Sequence, residues 1–186
     1  GGHTSEAAQK EPEENGYAEQ DPTADIEGHD ACRKICILAA IAFGRHVYPR
    51  QVPTEGITGV TLADVAYAAS CGRKIKLLGR AIREPDGRIC AYVAPHLVDE
   101  ESPLAGVEDV FNGIVVKGDA IGDVMFYGRG AGKLPTASAV VADVMDAARH
   151  IQSRKRMERG PGGDDVTVSP DHLVFHWYVR AEGAPE

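Results

Sequence analysis

No stretch of this 186-residue sequence approaches the about 18 consecutive apolar residues that a transmembrane helix requires. No signal peptide opens the chain. Positive charge is in short supply, since the formal net charge is −8, and this argues against a nucleic-acid partner. Hydrophobic residues account for 43% and charged residues for 26%, as in soluble globular proteins, and the length suffices for one domain with a full core. These features predict a cytoplasmic protein that binds neither nucleic acid nor a membrane.

Patterns typical of metal binding are missing as well. The cysteines form no Cys-x-x-Cys pair, and the histidines have no ligand-like spacing, so we expect no metal site. The cysteines are expected to be reduced core residues. They are Cys32, Cys36, Cys71 and Cys90.

A glycine-rich stretch, residues 128–134, lacks the pattern of a Walker phosphate loop. Tyr127 stands where that loop needs its first glycine, and Leu134 where it needs Ser or Thr. The small residues predict only that the backbone comes close to another group. A plain tight turn is the alternative.

What the sequence does contain is a loop followed by a long apolar helix. The helix is expected to begin near Gly28 to Asp30, and its apolar part, Ile35 to Phe43, predicts a buried helix. Asp30 and Lys34 are four residues apart and therefore share one helical face. Burial would lower the pKa of a lysine and enable it to exchange a proton near neutral pH. An ordinary surface ion pair is the alternative.

The rest of the chain indicates a connecting loop from Arg45 to Thr58, which contains Gly56, and then two hairpins with helices around them. We expect an α+β fold: a mixed, largely antiparallel sheet of about four to five strands covered by helices. Thr61 and Asp64 form a capping-box pattern at the start of a helix. The expected elements are a helix Leu62–Ser70, strands Ile75–Arg83 and Ile89–Pro95, strands Val110–Lys117 and Asp123–Gly128, a helix Thr136–Gln152 with an apolar stripe from Val140 to Ala148, and a strand Leu173–Arg180.

Two blocks of sequence resemble the homoserine dehydrogenase family. The first is Gly16-Tyr-Ala-Glu-x-Asp-Pro-Thr-Ala-Asp-x-Glu-Gly-x-Asp-Ala-x-Arg-Lys34. The second is Tyr127-Gly-Arg-Gly-Ala-Gly-Lys-Leu-Pro-Thr-Ala-Ser-Ala-Val-Val-Ala-Asp143. Two long blocks in the family's order are far more specific than a short motif. The resemblance covers roughly residues 5–151.

This resemblance implies the substrate-binding, catalytic domain of an oxidoreductase. Such enzymes use NAD or NADP to interconvert L-homoserine and L-aspartate 4-semialdehyde in threonine, methionine and isoleucine biosynthesis. By matching positions, Lys34 is expected to be the general acid/base, and Asp30 to bind substrate and orient Lys34. Glu19 is expected to bind the ammonium group of the substrate. The segment Gly130-Ala131-Gly132 is expected to contact the cofactor.

Three regions are expected along the chain. Residues 1–15 hold a cloning remnant, Gly1-Gly2-His3, and a short helix; residues 16–152 form the catalytic domain. Residues 153–186 form a linker and a strand, which either begins a regulatory domain or returns to the sheet of the catalytic domain. The family's Rossmann domain, which binds most of the cofactor, lies upstream of this region and outside the sequence, so we expect the isolated chain not to catalyse. The family's pairing through a β-sheet makes a homodimer an option. The alternative function is a non-catalytic small-molecule-binding or interaction module that shares the fold.

Overall fold

A computed structural model of the chain describes residues 22–152, 160–181 and 183. These residues divide into two units. The first unit contains residues 24–97 and the described residues from 160 onward, and the second contains residues 22–23 and 98–152. The predicted helix within residues 1–15 lies outside the described residues, as does part of the predicted linker.

The first unit is built from helices packed on a small sheet. Both main helices begin and end where the sequence predicts. Gly44 ends the long helix, and its N–H donates to the Ala40 carbonyl over 3.1 Å. Thr61 and Asp64 form the predicted capping box. The elements are α1 (Thr23–Ile26), α2 (His29–Phe43), a 3-10 turn (Pro49–Gln51), α3 (Leu62–Ser70), β1 (Arg73–Arg83), β2 (Ile89–Asp99), β5 (Thr167–Val168) and a 3-10 turn (Pro170–His172).

The sheet of the first unit has the order β1-β2-β5. β1 and β2 form a hairpin across the predicted turn at residues 84–87, where the Gly87 N–H donates to the Glu84 carbonyl over 2.9 Å. β5 pairs parallel to β2, with Ile89 opposite Thr167. The α+β class is therefore confirmed. The five strands found among the described residues fall into separate sheets of three and two strands, so neither sheet reaches the four to five strands predicted for one.

The core of the first unit lies between α2 and the sheet. Both α2 and α3 pack against β1. A Cβ on Gly79 of β1 would lie 3.1 Å from the Cβ of Ile35, so a side chain there would require the packing of α2 on β1 to shift slightly. The buried core residues are Cys32, Cys36, Ala39, Val47, Val52, Ile89, Ala91, Val93 and Val166.

The second unit contains the second predicted hairpin and the last helix. Its elements are a 3-10 turn (Pro103–Gly106), β3 (Phe111–Gly118), β4 (Gly122–Arg129) and α4 (Lys133–Arg149). β3 and β4 pair in antiparallel register, from Phe111 opposite Arg129 to Gly118 opposite Gly122. The apolar stripe on α4 is present but exposed, with Val140 57% and Val144 61% accessible to solvent.

Two further predictions are wrong. Leu173–Arg180 is not a strand: within the described residues it pairs with no other strand. Its β-branched and aromatic residues favour a strand, but composition alone does not decide pairing. Its side chains instead contact Asp64 and Tyr67 of α3. Cys71 is exposed, whereas the other three cysteines are buried as predicted.

The segment that carries β5 returns to the core instead of leaving the domain. Val166 is fully buried, and the Ile89 N–H donates to its carbonyl over 2.9 Å. Gln51 also donates from Nε2 to the Gly163 carbonyl over 2.9 Å. Residues 160–168 are therefore part of the first unit.

Replacing Val166 by alanine tests this placement. Val166→Ala should lower the free energy of unfolding by about 2 kcal/mol, because two methyl groups leave a closed core without refilling it. Val174→Ala is the matched control, since Val174 is 97% exposed and should change stability little. Urea denaturation of the 186-residue chain measures both. Equal, small effects would mean that the segment around Val166 is not packed into the core.

Candidate functional site

The start of α2 brings two of the predicted site residues together. Lys34 Nζ lies 2.6 Å from Asp30 Oδ2, as expected for an i,i+4 pair. Asp30 stands in the first turn, where a carboxylate also suits the helix dipole. Beside them, His29 Nε2 lies 3.3 Å from Glu27 Oε2. Glu19, the predicted ammonium ligand, lies outside the described residues.

The pair is on the exposed face of the helix. The side chain of Lys34 is 57% accessible to solvent and that of Asp30 41%. Ile37 and Ile41 follow on the same face at three- and four-residue spacing, 56% and 54% exposed. The prediction of a buried helix therefore holds for one face only, since the described residues leave the face with Ile37 and Ile41 uncovered. An exposed ion pair of this kind adds only about 0.3–0.5 kcal/mol to stability, so the pair is not needed to hold the helix.

A loop, residues 53–57, fixes the start of α2. The Ile57 N–H donates to the Ile26 carbonyl over 2.8 Å. A Cβ on Gly56 would overlap that carbonyl and lie 2.5 Å from Glu27 Cα, so the two backbones are in direct contact. Thr54 pairs with Val93 of β2, which ties the loop to the sheet.

Gly28 completes this arrangement. Its φ of 79° is a left-handed conformation that favours glycine, and it turns the chain from α1 into α2. A Cβ there would lie 3.2 Å from both Thr54 and Val93. The position of Asp30 and Lys34 is thus set by backbone contacts with residues that the sequence predicted only as a connecting loop.

The segment Gly130-Ala131-Gly132 belongs to the second unit. The close approach predicted for it is made within the protein: a Cβ on Gly130 would overlap the amide group of Asn112 on β3. The Gly130 N–H also donates to the Val110 carbonyl over 2.9 Å. Gly132 has a φ of 111°, which favours glycine, and α4 begins directly after it.

A shallow depression of about 530 Å³ lies over the N-terminal part of this segment. Its lining includes Asn112, Ile114, Phe126, Gly128 and Gly130. Apolar side chains and glycine backbone both contribute to this lining. The glycine at position 130 is explained by its contact with Asn112.

The remaining candidates contribute no further chemistry. Burial, with Cys32 as neighbour, raises the pKa of the Cys36 thiol to about 11, so this thiol remains protonated and unreactive. Within residues 22–152, 160–181 and 183 no group of His, Cys, Asp and Glu could hold a metal ion. Over the same residues, no helix has the length and apolar character needed to cross a bilayer.

A sequence profile described as homoserine dehydrogenase matches residues 1–145. The chain belongs to the homoserine dehydrogenase family. It is 48% identical over 178 residues to a homoserine dehydrogenase of Synechocystis sp., covering 89% of this chain and 40% of the relative. It is 51% identical over 150 residues to that of Mycobacterium leprae, covering 78% of this chain and 33% of the relative.

Solved structures give the same result. The crystal structure of a homoserine dehydrogenase from Thiobacillus denitrificans matches with a TM-score of 0.72 and 44% identity, covering 86% of this chain and 37% of that one. A hyperthermophilic archaeal homoserine dehydrogenase in complex with NADPH matches with a TM-score of 0.60 and 30% identity, covering 80% and 41%. The chain therefore spans well under half the length of these relatives.

Two residues shape these sites without being marked by a functional motif: Asn112 lies against Gly130, and Gly56 lies against the turn before α2. Asn112 was not singled out, because its contact with Gly130 joins residues far apart in the sequence. Gly56 was recognised only as a loop residue. The family resemblance points to residues that touch ligands, and neither of these residues is marked by such a motif.

Replacing Gly56 by alanine tests the contact that holds α2. Gly56→Ala should destabilise the chain by about 1–3 kcal/mol, because its methyl group can be accommodated only if the Ile26–Glu27 backbone moves. Gly59→Ala, shortly after this loop, is the control, since a Cβ there meets nothing within 4 Å. Thermal unfolding followed by circular dichroism measures both. If both variants unfold at the wild-type temperature, the loop is not in close contact with the backbone before α2.

Proposed function

We propose that this chain is the substrate-binding, catalytic part of an NAD- or NADP-dependent homoserine dehydrogenase. It would act in the cytoplasm, in threonine, methionine and isoleucine biosynthesis, on L-homoserine and L-aspartate 4-semialdehyde. Family membership supports the reaction class. The observation that carries the assignment of the site is the Asp30–Lys34 pair, 2.6 Å apart at the start of α2 with the lysine accessible to a small molecule.

Lys34 is the proposed general acid and base. Reduction of the aldehyde builds negative charge on the carbonyl oxygen, and an ammonium group beside that oxygen both stabilises the charge and donates the proton. In the reverse direction the neutral amine accepts the proton of the substrate hydroxyl. A bound nicotinamide supplies or accepts the hydride.

Asp30 and Glu19 hold the reacting groups in place. The Asp30 carboxylate contacts the Lys34 ammonium and so limits the directions in which the flexible lysine side chain can point. It also presents negative charge to the substrate. Glu19 is assigned to the substrate ammonium group, and the Gly130-Ala131-Gly132 backbone to the cofactor.

The exposure of Lys34 sets a requirement for catalysis. Between charges in water the Coulomb energy at 4 Å is only about 1 kcal/mol, and it grows several-fold where water is excluded. Substrate, cofactor or further parts of the enzyme must therefore cover Lys34 during the reaction. Ile37 and Ile41, exposed on the same face, provide apolar surface that would be buried together with it.

The role of Lys34 is tested in a full-length enzyme that contains this sequence. Lys34→Ala should lower kcat by at least ~100-fold, the usual contribution of general acid–base catalysis. Lys117→Ala is the matched control, because it removes the same charge from another exposed pair, Lys117–Asp123 at 3.3 Å, and should leave kcat unchanged. Steady-state oxidation of homoserine measures both. Near-normal turnover of the Lys34 variant would remove this residue from the mechanism.

The isolated 186-residue chain should not catalyse. It spans only 40% of the length of the Synechocystis relative, and the cofactor is assigned mainly to a domain outside it. Purified chain mixed with aspartate 4-semialdehyde and NADPH or NADH should give no decrease in absorbance at 340 nm above the protein-free rate. Turnover that scales with chain concentration would show that the chain alone holds a complete site.

A further inference from the structure

Asp64 is the one charged side chain buried among the described residues, with 4% of its surface exposed. Its Oδ2 accepts hydrogen bonds from the Thr61 N–H and the Thr61 hydroxyl, each 2.7 Å long. A helix cap on a surface helix normally remains in water. The burial of this one requires cover from another part of the chain.

The cover is the extended segment of residues 173–181, which we call the C-terminal strap. The Tyr178 hydroxyl donates to Asp64 Oδ1 over 2.7 Å. Arg180 donates to Asp64 Oδ2, and to the Thr61 hydroxyl oxygen over 2.8 Å. The Tyr178 ring stacks on Tyr67 of α3 with centroids 5.0 Å apart.

These contacts form one electrostatic unit. The Tyr178 hydroxyl and the Thr61 donors, with Arg180 adding to them, hold the pKa of Asp64 well below its usual range. The bond to Asp64 in turn raises the pKa of Tyr178. Asp64 is therefore a charged carboxylate with four donors, and removing one donor weakens the compensation of its buried charge.

The same cap lies next to the loop that fixes α2. Thr61 precedes α3, and the Val60 N–H donates to the Ile57 carbonyl over 3.0 Å. The Ile57 N–H donates to the Ile26 carbonyl, and Gly56 presses on Glu27. A short series of backbone contacts thus joins Asp64 to the turn that precedes the helix carrying Asp30 and Lys34.

We propose that Asp64, clamped by Tyr178 and Arg180 of the C-terminal strap, is a positioning residue that fixes the start of α2 through residues 56–61. The catalytic consequence of this proposal rests on the function proposed above for Lys34. The structural consequence does not depend on it.

The strap is suited to local opening. Its outward side chains have little cover: Val174 is 97% exposed, Trp177 79% and Val179 77%. Within the described residues it pairs with no strand, so no backbone ladder holds it. A segment held mainly by side-chain contacts opens at a lower free energy than the core does. Opening it exposes Asp64 and removes the hydrogen bond from Arg180 to the Thr61 hydroxyl.

The structural consequence is tested by amide hydrogen exchange in the 186-residue chain. Tyr178→Phe keeps the ring stack and removes one donor to Asp64. Exchange should become about tenfold faster at the Ile57 and Cys32 amides, which donate to Ile26 and Gly28. The Ile89 amide, bonded to Val166 in the core, reports global unfolding and should change much less.

Tyr67→Phe is the matched control, because it alters the other ring of the same stack and leaves the Asp64 bond intact. It should leave all three amides at wild-type rates. Asp64→Asn, which keeps an acceptor oxygen, should accelerate exchange less than Asp64→Ala. The proposal is overturned if exchange at the Ile89 amide becomes faster by as much as exchange at the Ile57 and Cys32 amides. It is also overturned if exchange becomes faster only at amides of the strap.

The catalytic consequence is measured in the full-length enzyme. Tyr178→Phe should lower kcat/KM for homoserine by about tenfold, since a small displacement of Lys34 is costly, and Tyr67→Phe should not lower it. A wild-type enzyme without homoserine turnover would refute the proposed function and leave the exchange result valid. If exchange becomes faster at the Ile57 and Cys32 amides but kcat/KM does not change, only the catalytic part of the positioning role is refuted.

Discussion

The hydrogen bond from the Ile57 N–H to the Ile26 carbonyl is the contact on which the first unit's site depends. It joins the loop of residues 53–57 to the turn before α2, at a place where Gly56 leaves no room for a side chain. Because α2 is a rigid helix, fixing the turn before it also fixes where the backbone of Asp30 and Lys34 lies. The exposed ion pair is too weak to do this itself. The site is therefore positioned by backbone packing, and the charged residues are free to serve a ligand.

Features determined by neighbouring residues could be predicted from the sequence. The limits of α2, the Thr61–Asp64 cap and both hairpins depend on local signals: a glycine after an apolar run, a capping box and turn residues between strand-like runs. The pairing of Asp30 with Lys34 is local too, since a helix places residues four apart on one face. For the same reason the residues that the family resemblance identified at this helix are found together without any knowledge of tertiary structure.

Features that depend on distant residues could not be predicted in this way. Leu173–Arg180 has the composition of a strand, yet whether it pairs is decided by the free edges of a sheet elsewhere in the chain. Its polar side chains find Asp64 instead. Gly130 was correctly expected to lie close to another group, but the sequence offers no sign that this group is the Asn112 amide. The family motif emphasises the glycine, whereas the side chain that requires it lies on another strand.

The exposed apolar faces of α2 and α4 have a separate physical explanation. Both helices carry apolar residues on faces that the described residues leave uncovered, including Ile37 and Ile41 on α2 and Val140 and Val144 on α4. Scattered exposed aliphatic residues are ordinary, but aligned ones on a helix face mark a surface that is normally covered. The chain spans 33–40% of the length of the Mycobacterium leprae and Synechocystis relatives. On α2 the exposed isoleucines share a face with Lys34, so whatever buries them also removes water from the lysine. Covering the face of α2 that carries Ile37 and Ile41 would therefore also activate Lys34, the proposed acid.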